Sequence, residues 1–352
     1  MRRPVPGGIG TYVRGLLAGL RTAASDEVDI TLWTGRARGG PPRDPLAVFN
    51  RVLASRLPGP ALTRLWDRGL GRPPAGADVV HATSLAVPPD GPAPMTVMVH
   101  DLAWRHEPDA YPRRGREWHE AALARARKRA ALLLAPSAAT ADDLVAAGVP
   151  ENRVAIVEEG SDHLDPPDRD GAAALLARLG VEPGGKYLLT VSTLEPRKNL
   201  PRLLDAHALA LPRLPEPWPL VVVGPTGWGP TLAPRPSVLL AGHVDGPVLS
   251  ALYYGARLVA YVPRREGWGL PALEAMSCGV PVVATPMPST GGAAFEVPVD
   301  DVEAIAEGLV AVATDDAIRA RLYDTGLRRA RSLTWKRAAA RHLELWRGLV
   351  AG

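Results

Sequence analysis

The stretch Glu266-Gly-Trp-Gly-Leu-Pro-Ala-Leu-Glu-Ala-Met-Ser-Cys-Gly-Val-Pro281 decides the fold of the region around it. One apolar run, residues 258–262, precedes this stretch, and a second one begins at its end, residues 280–284. Pro271 suits the first position of a helix, where the missing N–H costs nothing. Gly279 suits the left-handed residue just past a helix end. The pattern therefore predicts a strand, a glycine-rich turn, a helix and a second strand, which form one parallel βαβ unit.

The turn in this stretch has the features of a ligand site. Gly267 and Gly269 let the backbone approach a ligand closely, and the helix from Leu270 points its first N–H groups at the same place, which suits an anion. Glu266 precedes the helix and Glu274 lies about one turn inside it. Because two carboxylates facing a phosphate would repel it, we expect them to bind hydroxyl groups on either side, such as those of a sugar and a ribose. The alternative is that both acids only complement the helix dipole.

Two runs of this sequence resemble a known family. Glu266 and Glu274, with seven residues between them, are similar to the signature of the retaining glycosyltransferases of family 4, which have the GT-B fold. The run Glu195-Pro-Arg-Lys-Asn199 is a second similarity to that family. The resemblance implies an α/β protein with two Rossmann-like, doubly wound domains that face a central cleft. It is strong over residues 186–285 and weaker over residues 1–165.

Composition and resemblance together predict the domain boundaries. A segment rich in proline and aspartate, residues 166–185, is expected to link the two domains. Residues 1–165 then form an N-terminal acceptor-binding domain, and residues 186–333 form a C-terminal nucleotide-sugar-binding domain. In this fold a last helix, residues 334–352, crosses back onto the first domain.

The linker also contains Asp168-Arg-Asp170, which matches the Asp-x-Asp pair that holds a metal in GT-A transferases. These two carboxylates lie in a proline-rich segment and not after a buried strand. We therefore expect no metal site there, and no cofactor.

The N-terminus predicts a departure from the family. The run Pro6-Gly-Gly-Ile-Gly-Thr-Tyr-Val13 indicates a glycine-rich loop, with a helix over residues 12–20, and such a loop usually follows a strand. Residues 1–5 are too few for that strand, so we expect the first strand of the domain to be missing, because the assigned start lies too late or because the protein lacks it. In the family this loop faces the donor phosphates, which assigns Gly8 to donor binding. A simple turn is the alternative.

The remaining pattern of the N-terminal half predicts further elements, and one of them carries a candidate catalytic residue. Strands are expected at residues 29–33, 78–81, 95–100, 132–135 and 152–157, and helices at residues 47–57, 62–70, 116–132 and 141–147. The strand over residues 95–100 ends in His100-Asp101, at a carboxyl end where α/β sheets bind ligands. The resemblance implies that His100 lies close to the reacting sugar. The alternative is a strand-end histidine tied to its neighbouring carboxylate.

Arg197 and Lys198 occupy a predicted turn between a strand and a helix, and they form a compact cationic pair that suits a diphosphate. Thr193 lies just before them, and Val244 lies where relatives hold the base through backbone groups. The predicted catalytic residues are His100, Glu266, Lys198 and Arg197. The predicted donor-binding residues are Gly8, Thr193, Val244, Gly267, Gly269, Leu270 and Glu274.

The resemblance implies a reaction as well. A hexose, with mannose from GDP-mannose as the best candidate, would move from a nucleotide diphosphate sugar to a hydroxyl of a saccharide or lipid-linked acceptor in cell-surface polysaccharide or glycolipid synthesis. The anomeric configuration would be retained, and the leaving diphosphate would be stabilised by cations and N–H groups without a metal. Two alternatives stay open: a sugar-nucleotide 2-epimerase of the same architecture, and a non-catalytic nucleotide-sugar binder.

Composition limits the other functional classes. The chain has 352 residues, of which 46% are hydrophobic and 22% charged, as in ordinary soluble proteins with two domains. No apolar run reaches the ~18 residues that span a bilayer and no signal peptide is evident, so a cytoplasmic location is expected. The net charge of +4 comes mainly from arginine, which indicates coding bias and no nucleic-acid partner. The basic run Arg125–Arg129 suits a solvated helix face or, as the alternative, the inner face of an anionic membrane. The lone Cys278 excludes an intrachain disulfide and is expected to be a small buried hydrophobe.

Overall fold

A computed structural model of the protein describes residues 7–24, 27–36, 51–229 and 232–351. The chain divides into two compact units. Unit 1 contains residues 1–105, 112–160 and 335–352, and unit 2 contains residues 106–111 and 161–334. Each unit has its own parallel sheet with helices packed around it, so the predicted α/β class is confirmed.

The strands are β1 (Leu32–Arg36), β2 (Val52–Pro58), β3 (Val80–Ala82), β4 (Met95–Met98), β5 (Leu132–Ala135), β6 (Val154–Ile156), β7 (Leu188–Val191), β8 (Leu220–Val223), β9 (Val238–Gly242), β10 (Leu258–Tyr261), β11 (Val282–Ala284) and β12 (Phe295–Glu296). The helices are α1 (Gly7–Ala24), α2 (Gly59–Asp67), α3 (Ala103–His106), α4 (Arg113–Arg129), α5 (Ala138–Ala146), α6 (Arg169–Arg178), α7 (Leu200–Ala210), α8 (Gly246–Gly255), α9 (Leu270–Ser277), α10 (Val302–Thr314), α11 (Asp316–Ser332) and α12 (Trp335–Ala351).

The sheet of unit 1 runs in the order β3-β4-β5-β6, and all its described pairs are parallel. Its central strands are apolar on both faces, as expected when helices cover both sides of a sheet. Ser137 caps α5 by accepting a hydrogen bond from the Thr140 backbone N–H at 3.2 Å.

Two sequence predictions in unit 1 were wrong. The expected helix over residues 47–57 is replaced, in its described part, by strand β2, whose Val52 pairs in parallel with Leu32 of β1. Strand β1 itself begins three residues later than the predicted strand over residues 29–33. The reason is that pairing between strands decides the structure of such short apolar runs, and local helical spacing does not reveal it. The expected absence of a strand over residues 1–5 lies outside the described residues.

Helix α1 also differs from its prediction, because it already begins at Gly7, where a glycine-rich loop was expected. Tyr12, Leu16 and Leu20 form its buried face, and α12 packs against it. A Cβ on Gly15 would lie 2.0 Å from Cε2 of Trp335. Glycine is therefore required at position 15 so that the two helices can approach closely.

Unit 2 contains a six-stranded parallel sheet in the order β12-β11-β10-β7-β8-β9. The chain winds outward from β7 through β8 to β9, and then crosses to β10 on the other side of β7. This is a doubly wound sheet, and the winding direction reverses between β7 and β10, whose carboxyl ends mark the place where sheets of this kind bind ligands. The short edge strand β12 escaped sequence prediction.

The predicted βαβ unit is confirmed as β10, α9 and β11, with Val259 opposite Val282 in parallel register. Gly279 has the expected left-handed conformation, with a φ of 70°. Pro271 is the second residue of α9 and not the first, because the helix begins at Leu270. The neighbouring Cys278 is only half-buried, and burial raises the pKa of its thiol to about 11, so it stays protonated at neutral pH.

Candidate active site

The turn between β10 and α9 is fixed by its contacts with the loop that follows β11. Gly269 is the N-cap of α9 with a φ of 106°, a conformation that favours glycine. A Cβ there would lie 2.4 Å from Sδ of Met287. The Ser289 hydroxyl donates to the Gly269 carbonyl at 2.9 Å, and the Ser289 N–H donates to the Trp268 carbonyl at 3.2 Å. The loop over residues 286–292 therefore holds the turn in place.

Glu266 is the centre of a buried polar cluster at this turn. Its Oε1 accepts hydrogen bonds from Lys198 Nζ at 2.5 Å, Arg197 Nη1 at 2.9 Å and Tyr261 Oη at 2.9 Å. The other carboxylate oxygen, Oε2, has no donor among the described residues. One oxygen is thus saturated by the protein, and the other remains available to a ligand.

The charges of this cluster are strongly coupled. Burial alone would raise the pKa of Glu266, but Arg197 and Lys198 outweigh that effect and lower its pKa to about 2. Burial and the charge of Glu266 raise the pKa of Tyr261 well above its ordinary value. At neutral pH the site therefore contains a carboxylate, two cations and a neutral phenol.

The two cations are placed differently. Arg197 is 9% exposed, and its Nη1 and Nη2 also donate to the Arg265 carbonyl at 2.8 Å and to Glu195 Oε1 at 3.0 Å. Lys198 Nζ donates to Glu266 and to the Tyr261 hydroxyl at 2.9 Å. An ammonium group carries three N–H donors, so Lys198 has one more than these two contacts use. Arg197 is buried and donates to protein oxygens, while Lys198 can bind a further acceptor.

The backbone that carries this pair ends in a left-handed residue. Residues 196–198 form a short 3-10 helix, and Asn199, with a φ of 57°, begins the connection to α7. The Asn199 side-chain amide donates to the carbonyls of Val262 and Val299 at 3.1 and 2.9 Å. The run Glu195–Asn199 is therefore fastened to the segments that follow β10 and β12.

Glu274 occupies a second buried position, on α9. It is 7% exposed, and its two oxygens accept hydrogen bonds from His163 Nε2 at 2.9 Å and from the Tyr253 hydroxyl at 2.7 Å. Burial and Glu274 raise the pKa of Tyr253 well above its ordinary value. Sequence reasoning missed both partners, because neither residue has a spacing or motif that points to Glu274.

The structure brings most of the predicted donor residues to one edge of the unit 2 sheet. Thr193 follows β7 and Val244 follows β9, and Leu194 forms a parallel bridge with Thr226. The turn residues, Lys198 and Arg197 lie at the same edge. Gly8 and His100 belong to unit 1, where Gly8 is exposed in the first turn of α1.

His100 is tied to a carboxylate, but not to the neighbouring one that the sequence suggested. Its Nδ1 lies 3.2 Å from Glu159 Oε1, and its Nε2 lies 3.1 Å from the Thr83 carbonyl oxygen. Asp101 instead accepts a hydrogen bond from the Ala103 N–H at 3.0 Å, next to the start of α3. The His100 and Tyr12 rings form a T-shaped pair, with 5.0 Å between ring centroids and 82° between ring planes.

Beyond Tyr12 a buried chain of hydrogen bonds connects α1 to α12. The Tyr12 hydroxyl lies 2.8 Å from Nε2 of both His81 and His342. His342 Nδ1 donates to the Ala338 carbonyl at 2.8 Å, so its Nε2 accepts from Tyr12. Tyr12 then accepts from His81, and His81 Nδ1 accepts from Thr96 at 2.8 Å. Both histidines are neutral in this chain, and burial is the main reason that their pKa values are lowered, to about 4 for His342.

Other sequence candidates have structural roles. Asp168 caps α6 by accepting from the Gly171 N–H at 2.9 Å. In the basic run on α4, Arg125 pairs with Asp67 at 2.5 Å and Arg127 donates to the Gly148 carbonyl at 2.8 Å, so these cations hold neighbouring segments of unit 1. Over the described ranges no cluster of three or more histidine, cysteine or acidic side chains is arranged to hold a metal. Within the same ranges, every helix is too short or too polar to cross a bilayer.

Comparison with known proteins identifies the family. A family model described as Glycosyltransferase Family 4 matches residues 6–163, and one described as Glycosyl transferases group 1 matches residues 185–315. The O-antigen chain mannosyltransferase B of Escherichia coli is 33% identical over 173 residues, which cover 46% of this chain and 45% of that protein. The D-inositol 3-phosphate glycosyltransferase of Xylanimonas cellulosilytica is 31% identical over 242 residues, which cover 61% of this chain and 56% of that protein.

The chain thus spans about half the length of the curated relatives it matches. The solved structure of HepE from Anabaena in complex with UDP and glucose has a TM-score of 0.71 at 17% identity, and the match covers 98% of this chain and 97% of that one. At that identity the likeness establishes the fold alone. Since the two family models together match most of the sequence, this chain belongs to the GT-B glycosyltransferases of the family 4 type.

Proposed function

We propose that this protein transfers a hexose from a nucleotide diphosphate sugar to an acceptor hydroxyl, with retention of the anomeric configuration and without a metal. The observation that carries this proposal is the cluster of Glu266, Lys198 and Arg197 beside the start of α9. It combines a cation with a spare donor, an anion with a spare oxygen, and a helix N-terminus. Those three groups suit a phosphate, a sugar hydroxyl and a second phosphate oxygen.

In this proposal each group of the cluster has its own role. Lys198 and the first N–H groups of α9 stabilise the negative charge that develops on the departing diphosphate. Glu266 Oε2 accepts a hydroxyl of the sugar. Arg197 acts mainly through Glu266, because its guanidinium is buried and bonded to three protein oxygens. This differs from its predicted role as a direct ligand of the diphosphate.

The remaining donor groups bind the nucleoside part. Glu274 holds the ribose hydroxyls, since each carboxylate oxygen can accept more than one hydrogen bond. The backbone near Thr193 and Val244, at the same sheet edge, holds the base. Gly8 and His100 contribute from unit 1, Gly8 to the donor phosphates and His100 to the sugar.

For the sugar we propose mannose, from GDP-mannose, with a saccharide or lipid-linked acceptor of cell-surface polysaccharide or glycolipid. The support is the relative named as an O-antigen chain mannosyltransferase. Other similar proteins have different compounds in their names: one names D-inositol 3-phosphate, and another is a complex with UDP and glucose. The donor must therefore be tested as a panel. Peripheral contact with an anionic membrane stays a prediction, which sedimentation with anionic and neutral vesicles tests.

The experiment is a transfer assay with GDP-, UDP- and ADP-sugars and a mixture of mannosylated and lipid-linked acceptors, in the presence of EDTA. We expect release of one nucleoside diphosphate and a product whose new linkage keeps the donor's anomeric configuration by NMR. A product with inverted anomeric configuration would contradict the proposal. So would activity that is lost in EDTA and restored by Mg²⁺ or Mn²⁺. Donor binding without release would indicate a binding protein, and a C2-epimerised product would indicate an epimerase.

A further inference from the structure

His100 makes two hydrogen bonds that a neutral imidazole cannot make together. Nδ1 faces the Glu159 carboxylate at 3.2 Å, and Nε2 faces the Thr83 carbonyl oxygen at 3.1 Å. An ionised carboxylate and a backbone carbonyl are both acceptors only. A neutral histidine has one N–H and one lone pair, so one of the two contacts would bring two lone pairs together. With Glu159 ionised, both contacts are satisfied only when both ring nitrogens carry a proton.

We propose that His100 is a positively charged imidazolium and that Glu159 is the residue that positions it and holds its charge. Glu159 comes from the segment that follows β6, 59 residues away along the chain. It is 3% exposed, and a buried carboxylate is stable only when a donor or a cation accompanies it. The pair therefore satisfies both partners: the cation compensates the buried acid, and the acid fixes the ring.

The groups around His100 have opposite effects on its pKa. Burial alone would lower the pKa of His100, and His100 in turn helps to lower the pKa of the nearby His81 on β3. Glu159, the Thr83 carbonyl and Asp101 outweigh burial, and the pKa of His100 is raised. Tyr12 on α1 touches the ring edge as a neutral phenol. Within unit 1, the pKa of His100 is thus raised, while the pKa values of the nearby His81 and His342 are lowered.

The charge changes what His100 can contribute to the proposed transfer, on which this step rests. With both N–H groups engaged, the ring offers no lone pair and cannot act as a general base. It supplies a fixed positive charge and a defined ring face. Glu159 is then a positioning residue, which acts through His100.

The first test is an NMR titration of the imidazole ¹⁵N nuclei in the whole protein, with His100 assigned from the His100→Gln spectrum. We expect two protonated nitrogens at pH 7 and a titration midpoint above the usual value of about 6.5. Glu159→Gln should lower that midpoint by about one pH unit or more. The matched control is Glu158→Gln, which removes the adjacent, exposed carboxylate and should leave the midpoint unchanged.

A neutral His100 in the wild type at pH 6, or the same midpoint in Glu159→Gln, would overturn the proposal. The wild-type titration decides the charge state even if Glu159→Gln fails to fold. In the transfer assay, the alkaline limb of kcat/KM should follow the His100 midpoint and move to lower pH in Glu159→Gln but not in Glu158→Gln. A charged His100 in a protein that transfers no sugar would contradict the proposed function and leave the His100–Glu159 assignment standing.

Discussion

At the scale of single residues, Glu266 and Glu274 show how one motif gives two acids with different environments. Glu266 has three donors on one oxygen, and its other oxygen has no donor among the described residues, whereas both oxygens of Glu274 accept hydrogen bonds from the protein. An asymmetric carboxylate can orient a reacting sugar as charge develops on it. A carboxylate fixed on both sides suits binding that the substrate and the transition state share.

This difference predicts different kinetic effects for two conservative substitutions. Glu266→Gln should lower kcat about 100-fold with little change in the donor KM, because the lost interaction strengthens in the transition state. Glu274→Gln should raise the donor KM about tenfold with little change in kcat. Steady-state kinetics with the donor varied measures both. If Glu266→Gln instead raised the donor KM and Glu274→Gln lowered kcat, the two roles would be exchanged. If neither substitution had an effect, only the helix-dipole explanation would remain.

The sequence predicted the acids and cations of the site but not the residues that hold them. Glu266, Lys198 and Arg197 belong to runs that share a family signature, so they were recognisable. Tyr261, His163, Tyr253 and Glu159 were not, because each reaches its partner through tertiary contact and has no characteristic neighbour in sequence. Such partners are set by packing, which local spacing does not report.

At the scale of elements, α1 and α12 illustrate the same limit. The sequence predicted a helix over residues 12–20 and assigned the glycines before Tyr12 to a loop, whereas the helix begins at Gly7. In the structure Gly15 lies against the Trp335 ring and lets the two helices meet. Long apolar strands and the βαβ unit were predicted correctly, because their signals are local. Strand β2 was not, because its partner β1 lies 20 residues away in the sequence.

The close approach of α1 and α12 predicts a contrast between two Gly→Ala substitutions. Gly15→Ala should destabilise the protein by about 1–3 kcal/mol, because the added methyl overlaps the Trp335 ring and forces the helices apart. Gly348→Ala is the matched control on α12, where a Cβ would meet nothing within 4 Å. It should stabilise by about 0.5–1 kcal/mol through helix propensity. Urea denaturation measures both, and equal effects would mean that the α1–α12 contact does not need glycine.

At the scale of the whole molecule, the histidines of unit 1 make its stability depend on pH. The folded pKa of His342 is about 4, below the ordinary 6.5, chiefly because of burial. Between those values the unfolded chain binds the proton and the folded chain does not. The stabilisation is therefore present above pH 6.5 and is lost as the pH falls towards 4.

From this shift we expect the His342 contribution to lower the free energy of unfolding by about 2 kcal/mol when the pH falls from 7 to 5. His81 contributes with the same sign, since burial and His342 also lower its pKa. His342→Gln keeps an acceptor for the Tyr12 hydroxyl but cannot be protonated, so its loss of stability over this range should be smaller. Urea denaturation at the two pH values, with hydrogen exchange of α12 as the local readout, tests this. An unchanged pH dependence in the variant would contradict it.

The central claim is that unit 2 binds a nucleotide diphosphate through Lys198, and calorimetric titration with GDP, UDP and ADP tests it most directly. We expect one of these nucleotides to bind the wild type, and Lys198→Ala to weaken that binding about 30-fold, the scale of a lost charge-assisted hydrogen bond. Lys336→Ala, which removes an exposed lysine on α12, should leave the affinity unchanged. Binding of none of the three nucleotides, or equal affinity for wild type and Lys198→Ala, would contradict the account.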